Sequence, residues 1–240
     1  MTRPAPSRHK CSATPGGSIV IDGVDALHPT TFEVIPDRIE CGTFIAAAAI
    51  TRGDITIERC DPDVMTAVFD KLDEMRIGWE RRDAHTLRVW ADRAPRCVDI
   101  TTLPYPGFPT DLQSPFMSVL CTAEGHAIVE EKIYPERFMH VAELSRMGAK
   151  LYRQGPTVMV IGGTPLRGAP VMASDLRASA SMVLAGLAAE GETIVSRIYH
   201  LDRGYTKMEE TLNLLGANIE RFRPEADEAK RIAEAMAGAE

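Results

Sequence analysis

The sequence is poor in the features that announce the commonest functional classes. No apolar run approaches the roughly 20 residues that a membrane-spanning helix needs, so no membrane association is expected. There is no surplus of positive charge. The formal net charge is −7 and the sequence pI about 5.5, which argues against non-specific nucleic-acid binding and against docking on an anionic bilayer. The five cysteines (Cys11, Cys41, Cys60, Cys97, Cys121) stand singly, without a C-x-x-C pair. Their odd number and irregular spacing read as reduced thiols of a cytoplasmic protein. The six histidines show no H-x-x-x-H or His–Cys spacing, so no metal site is indicated. Ile161-Gly162-Gly163 lacks the pattern of a dinucleotide-binding turn and reads as a turn between strands. No cofactor is expected. The first 16 residues have no apolar core and are not a secretory signal; they read as a disordered or foreign extension.

What remains is the balance of an ordinary globular chain. Its 240 residues are 45% hydrophobic and 25% charged, enough to bury a core without disulfide or metal staples. A repeat occurs three times, opening at Pro36-Asp37-Arg38, Thr110-Asp111-Leu112 and Ser174-Asp175-Leu176, roughly 64 to 74 residues apart. Each copy starts with a polar residue and an Asp, suited to a helix N-terminus. An apolar helix follows and ends near a glycine: Gly53, Gly125 or Gly191. Next come a β-rich segment (ITI, AIV, TIV) and an amphipathic second helix. In the second copy Phe138, Val141, Leu144 and Met147 recur three residues apart and share roughly one face. Strand-turn-strand links join the copies. The expected class is α/β or α+β, with the three apolar helices buried.

The strings PDRIECGTF (36–44), PYPGFPTDLQ (104–113), ERFMHVAELSRMGA (136–149), SDLRASASMVLAG (174–186) and RIYHLDRGY (197–205) resemble those of the UDP-N-acetylglucosamine 1-carboxyvinyltransferases, members of the enolpyruvyl transferase family. The resemblance runs from about Ser18 to about Phe222. It implies an inside-out α/β barrel domain of three βαβαββ repeats with pseudo-threefold symmetry. It also implies a division into a foreign extension at 1–16, remnant strands of an amino-terminal domain at 17–35, the carboxy-terminal domain at 36–222 and a helical or frayed tail at 223–240. The family's catalytic cysteine sits in the amino-terminal half, and no cysteine here matches its context.

The implied reaction moves the enolpyruvyl group of phosphoenolpyruvate to the 3′-hydroxyl of UDP-N-acetylglucosamine, the first committed step of peptidoglycan synthesis. Such chemistry needs a base for the hydroxyl, an acid for the enol methylene and cations for a carboxylate and a phosphate. The resemblance assigns the base and the 3′-hydroxyl contact to Asp111, whose bland alternative is a helix cap. It puts Ile133 against the nucleotide-sugar; the alternative is a core strand residue. Arg203 falls where the phosphate of phosphoenolpyruvate is held, its guanidinium suited to bidentate binding; the alternative is a surface pair with Asp202. Arg137, Arg177 and Asp175 fall near the cleft, as a charge network supporting Asp111 or as an inter-repeat salt bridge. Asp37 is expected as a cap or cleft-lining residue. The expected partners are the two substrates and a separate amino-terminal half. Two other readings stand beside this one: a non-catalytic UDP-sugar-binding or interaction module, and the sister 5-enolpyruvylshikimate-3-phosphate synthase.

Overall fold

The computed structural model describes residues 11–13, 19–23 and 25–222. The tail expected at 223–240 and most of the extension expected at 1–16 lie outside the described residues. The chain divides into a unit of residues 1–35 and a unit of residues 36–240. In the first, β1 (Cys11–Ala13) pairs antiparallel with β2 (Ile19–Ile21).

The second unit opens with α1 (Arg38–Thr51). Asp37 caps it, its carboxylate accepting from the N–H of Ile39 at 2.7 Å and of Glu40 at 3.3 Å, which satisfies two donors that the first turn leaves open. The run Ala46–Ala49 is buried throughout, so neighbouring helices can approach closely. At the far end the left-handed residue is Arg52 (φ 54°), not the expected Gly53. At Gly125 (φ 103°) and Gly191 (φ 90°) the left-handed position does fall on glycine. Then follow β3 (Asp54–Glu58), α2 (Thr66–Met75), β4 (Gly78–Arg81) and β5 (Thr86–Trp90). After β6 (Ile100–Thr101) come α3 (Gln113–Thr122), β7 (His126–Glu130), α4 (Met139–Arg146), β8 (Lys150–Gln154) and β9 (Thr157–Ile161). The last part holds β10 (Pro170–Met172), α5 (Leu176–Ala188), β11 (Ile194–Ser196), a 3-10 turn at Ile198–Arg203 and α6 (Met208–Leu214).

The expected barrel does not form. Among the described residues of this unit the strands make three separate sheets, ordered β3-β5-β4, β6-β7-β9-β8 and β10-β11. Only single bridges, Arg96 with Glu124 and Arg167 with Glu190, lie outside the named strands. A closed barrel needs a continuous ladder between its end strands. Here helices α1, α3 and α5 pack on one another in the middle, and each sheet stays a short open layer. The three repeats are also unequal. The first two run helix, strand, helix, strand, strand. The third has no strand pair after α6 among the described residues.

The packing of the three helices is partly polar. Ser181 Oγ lies 2.6 Å from Ser118 Oγ and donates to the carbonyl of Ser114 at 3.0 Å. These bonds tie α3 to α5 without leaving a buried hydroxyl unpaired. Around them Ile45, Phe116, Met117, Leu120, Met182 and Leu184 have no exposed surface, each contributing about 1.5–3 kcal/mol by burial.

Gly162 leaves β9 directly over the end of α3. A Cβ there would collide with the Ala123 carbonyl oxygen and lie 2.7 Å from Cys97 Sγ and 2.8 Å from the Leu120 carbonyl. Gly162→Ala is therefore expected to destabilise the fold by about 1–3 kcal/mol, the cost of overpacking a well-filled site. Urea unfolding measures it. An unshifted midpoint would mean that the strand end moves freely away from α3.

Candidate active site

The segment between β6 and α3 is shaped by its prolines and one glycine. Leu103 N–H donates to the Phe108 carbonyl at 3.0 Å and Gly107 N–H to the Pro104 carbonyl at 2.8 Å, closing a tight loop. Gly107 has no room for a side chain, since a Cβ would lie 2.5 Å from the Leu103 Cβ. Phe108 is buried edge-on against Phe116, with ring centroids 5.3 Å apart, which anchors the loop to α3. Pro109 then leads into a 3-10 turn, Thr110–Leu112, before α3 begins.

That turn changes the fate of Asp111. Asp37 and Asp175 stand at the equivalent positions of the other repeats, and both spend their carboxylates as helix caps. Asp175 accepts from Arg177 N–H at 2.8 Å and Ala178 N–H at 2.9 Å. Asp111 caps nothing, because α3 starts two residues later without a side-chain cap. Its half-buried carboxylate instead takes two arginines. Arg137 Nη1 donates to Oδ1 at 2.6 Å and Arg177 Nη2 to Oδ2 at 3.1 Å. Burial pushes the Asp111 carboxyl up, but the Arg137 hydrogen bond and the charges of both arginines outweigh it and hold the group below the usual aspartate value of 3.8.

Both arginines are themselves held. Arg177 is nearly buried, and its Nη1 donates to the Tyr205 hydroxyl at 3.0 Å. That hydroxyl lies 2.8 Å from Thr43 Oγ1 of α1. Arg137 Nη1 also donates to Thr110 Oγ1 at 3.1 Å. Thr110 Oγ1 donates in turn to Glu131 Oε2 at 2.9 Å. The result is one hydrogen-bonded chain from Thr43 through Tyr205, Arg177, Asp111, Arg137 and Thr110 to Glu131, drawing on all three repeats. Such a network fixes each carboxylate and guanidinium in one orientation.

The other residues singled out in the sequence are placed as follows. Asp175 makes its hydrogen bonds to the start of α5 and none to Asp111. Ile133 is 42% exposed, beyond the end of β7, so it is not a core strand residue; its N–H donates to Glu131 Oε1 at 2.9 Å. Arg203 is exposed at the end of the 3-10 turn, two residues before Tyr205. It does not pair with Asp202, whose carboxylate is taken by Arg221 at 2.7 Å. Among the described residues no cluster of His, Cys, Asp and Glu is arranged to hold a metal ion. Among the described residues no helix is long and apolar enough to cross a membrane.

Sequence reasoning missed Glu131, Thr110 and Tyr205. For Glu131 a signal existed. Ala127 and Val129 face inward on β7, and strand alternation carries position 131 to the same face. A charged residue at an inward position is the kind of exception that marks a built site. Tyr205 carried no comparable signal, because its contacts with Arg177 and Thr43 span 28 and 162 residues.

Comparison with known proteins places this fold of buried helices and short sheets in a family. Residues 11–212 match the family EPSP synthase (3-phosphoshikimate 1-carboxyvinyltransferase), and the chain belongs to this family of enolpyruvyl transferases. Within it, the chain is 56% identical over 203 residues to the UDP-N-acetylglucosamine 1-carboxyvinyltransferase of Oleidesulfovibrio alaskensis, covering 85% of this chain and 49% of that protein. It is 54% identical over 206 residues to the enzyme of the same name from Magnetococcus marinus, again covering 85% and 49%. The chain thus spans about half the length of the curated relatives it matches. Among solved structures, the enolpyruvyl transferase NikO from Streptomyces tendae superposes with a TM-score of 0.79 at 30% identity, over 88% of this chain and 51% of that one. EPSP synthase from Acinetobacter baumannii, at 18% identity and a TM-score of 0.61 over 80% of this chain and 44% of that one, shares the fold.

Proposed function

We propose that this chain forms one wall of an active site that transfers the enolpyruvyl group of phosphoenolpyruvate to the 3′-hydroxyl of UDP-N-acetylglucosamine. The observation that carries the reading is the Asp111 carboxylate. It alone of the three repeat-equivalent aspartates is free of a helix N-terminus, and it is held by Arg137 and Arg177. In this reading Asp111 receives the proton of the attacking hydroxyl. Arg137 and Arg177 orient it, and the exposed fork of Arg203 meets the phosphate of phosphoenolpyruvate. Ile133 lies against the nucleotide-sugar. The amino-acid identity to UDP-N-acetylglucosamine 1-carboxyvinyltransferases, above 50%, supports that sugar over shikimate phosphate. The other wall comes from the portion of those relatives that this chain does not match. On the same reading residues 17–35 correspond to the last strands of that portion and 36–222 to the carboxy-terminal domain. Cys41, Cys60, Cys97 and Cys121, all buried and free, are in keeping with a cytoplasmic enzyme.

A second reading is a UDP-sugar-binding module without turnover. The depressed Asp111 favours it, since a carboxylate stabilised in its ionised form accepts a hydroxyl's hydrogen bond more readily than its proton. One experiment separates the two. Phosphate release from phosphoenolpyruvate and UDP-N-acetylglucosamine is measured with the purified chain, alone and with the amino-terminal half of a relative. Release only with the added half is the expected result. Sugar binding without release in either case would decide for the second reading.

A further inference from the structure

Glu131 has no exposed surface at all. A buried carboxylate is tolerated where hydrogen bonds replace its water, and Glu131 gathers four. Oε1 accepts from Thr102 Oγ1 at 2.6 Å, Ile133 N–H at 2.9 Å and Tyr134 N–H at 3.0 Å; Oε2 accepts from Thr110 Oγ1 at 2.9 Å. All four partners are donors, so both carboxyl oxygens are satisfied as acceptors. Its own N–H is fixed on the Pro156 carbonyl at 2.8 Å. Thr102 is buried at the end of β6 and accepts from Lys132 N–H at 2.9 Å. One side chain therefore joins the exit of β6, the turn carrying Ile133, and the residue next to Asp111.

We propose that Glu131 is the positioning residue of this site: it locks the turn at 133–134 to the 3-10 turn at 110–112, so that Asp111 and the Ile133 surface hold one fixed separation. The inference rests on the reading above, in which these two face the nucleotide-sugar. It touches no reacting atom itself. A looser role, holding only its own turn, would leave Thr110 and Asp111 indifferent to it.

Glutamine at 131 cannot replace the carboxylate. With its amide nitrogen toward Thr110, it meets a hydroxyl that already accepts from Arg137 and strands that hydroxyl's proton. With the nitrogen toward the turn, it faces two N–H groups. The test uses the full chain carrying Glu131→Gln, Thr110→Val or Thr110→Ser. Amide exchange is read at Leu112, Ile133 and Tyr134, and UDP-N-acetylglucosamine affinity by titration. Glu131→Gln is expected to speed exchange at least tenfold at all three amides, including Leu112, which does not touch residue 131 but donates to Pro109. Thr110→Val, nearly isosteric, is expected to speed exchange at Leu112, Ile133 and Tyr134 and weaken the sugar at least tenfold. Thr110→Ser keeps the hydroxyl and returns both readouts to within threefold of the parent. Unchanged exchange at Ile133 and Tyr134 in Thr110→Val overturns the coupling, and so does failure of Thr110→Ser to rescue. If the parent chain binds no sugar even with an amino-terminal half added, the functional reading fails instead, and the exchange data alone decide the role of Glu131. Should Glu131→Gln not fold, the two Thr110 variants carry the test.

Discussion

On the proposed reading, Asp111→Asn is expected to lower turnover by about 10³-fold in an enzyme reconstituted from this chain and an amino-terminal half. The figure is the middle of the range for a positioned general base. Asparagine keeps the shape, and its amide oxygen still accepts from one of the two arginines. Its amide nitrogen cannot accept from the other and cannot take a proton. The loss should therefore fall on kcat, with UDP-N-acetylglucosamine affinity changed only a few-fold, the signature of an interaction needed in the transition state. The direction of the Asp111 shift adds a second expectation. Because the group is held below 3.8, it is ionised at every pH where the enzyme would be assayed. An acid limb in kcat/KM near neutrality then belongs to another group or to phosphoenolpyruvate. Equal kcat in parent and Asp111→Asn would remove Asp111 from the chemistry and leave it the hub of a structural ion-pair network.

Sign and window follow for stability as well. A carboxyl whose folded value is depressed stabilises the fold above its unfolded value and loses that contribution as pH falls through the folded value. For Asp111 the loss occurs only below about pH 3.8, at the acid edge of the fold's range.

Much of this arrangement was legible in the sequence, and the parts that were not have physical reasons. The three repeats, their opening aspartates and their buried first helices can be read from short-range pattern, because capping and amphipathicity act within a few residues. Local pattern made Asp37, Asp111 and Asp175 equivalent. What separates them is the 3-10 turn after Pro109 and two arginines 26 and 66 residues further on, neither of which a helix-start pattern contains. The barrel was a different kind of error. Sheet closure depends on hydrogen bonding between the edges of distant strands, and no periodicity encodes whether those edges meet. Here they do not, since α1, α3 and α5 occupy the middle and the sheets stay apart. The role expected of Arg203 came from its motif alone; the structure replaces only the alternative pairing with Asp202, whose carboxylate Arg221 takes.

His140 makes the protein's stability pH-dependent in a window that Asp111 leaves untouched. It lies on α4, completely enclosed, with Nε2 unpartnered among the described residues. Phe138, with its ring centroid 6.1 Å away, is its aromatic neighbour. Burial drives the imidazole down from 6.5 to about 4; Asp175 opposes that shift, while Arg137 and Arg153 reinforce it. The folded protein thus keeps His140 neutral where the unfolded chain protonates it. Between pH 4 and 6.5 the unfolded state binds more protons, so stability rises with pH. The contribution is complete above pH 6.5 and is lost as pH falls, levelling off near 4. Between pH 7 and pH 4.5 the loss amounts to about 2–3 kcal/mol, at 1.36 kcal/mol for each unit of the interval. His140→Leu should abolish that component. Urea midpoints of the two proteins at pH 7 and pH 4.5 test it: the parent should lose more stability than the variant on acidification, by that amount. Parallel losses would mean that the imidazole gains a proton inside the fold, which would add a positive charge beside Arg137. A neutral His140 adds no further positive charge beside Arg137.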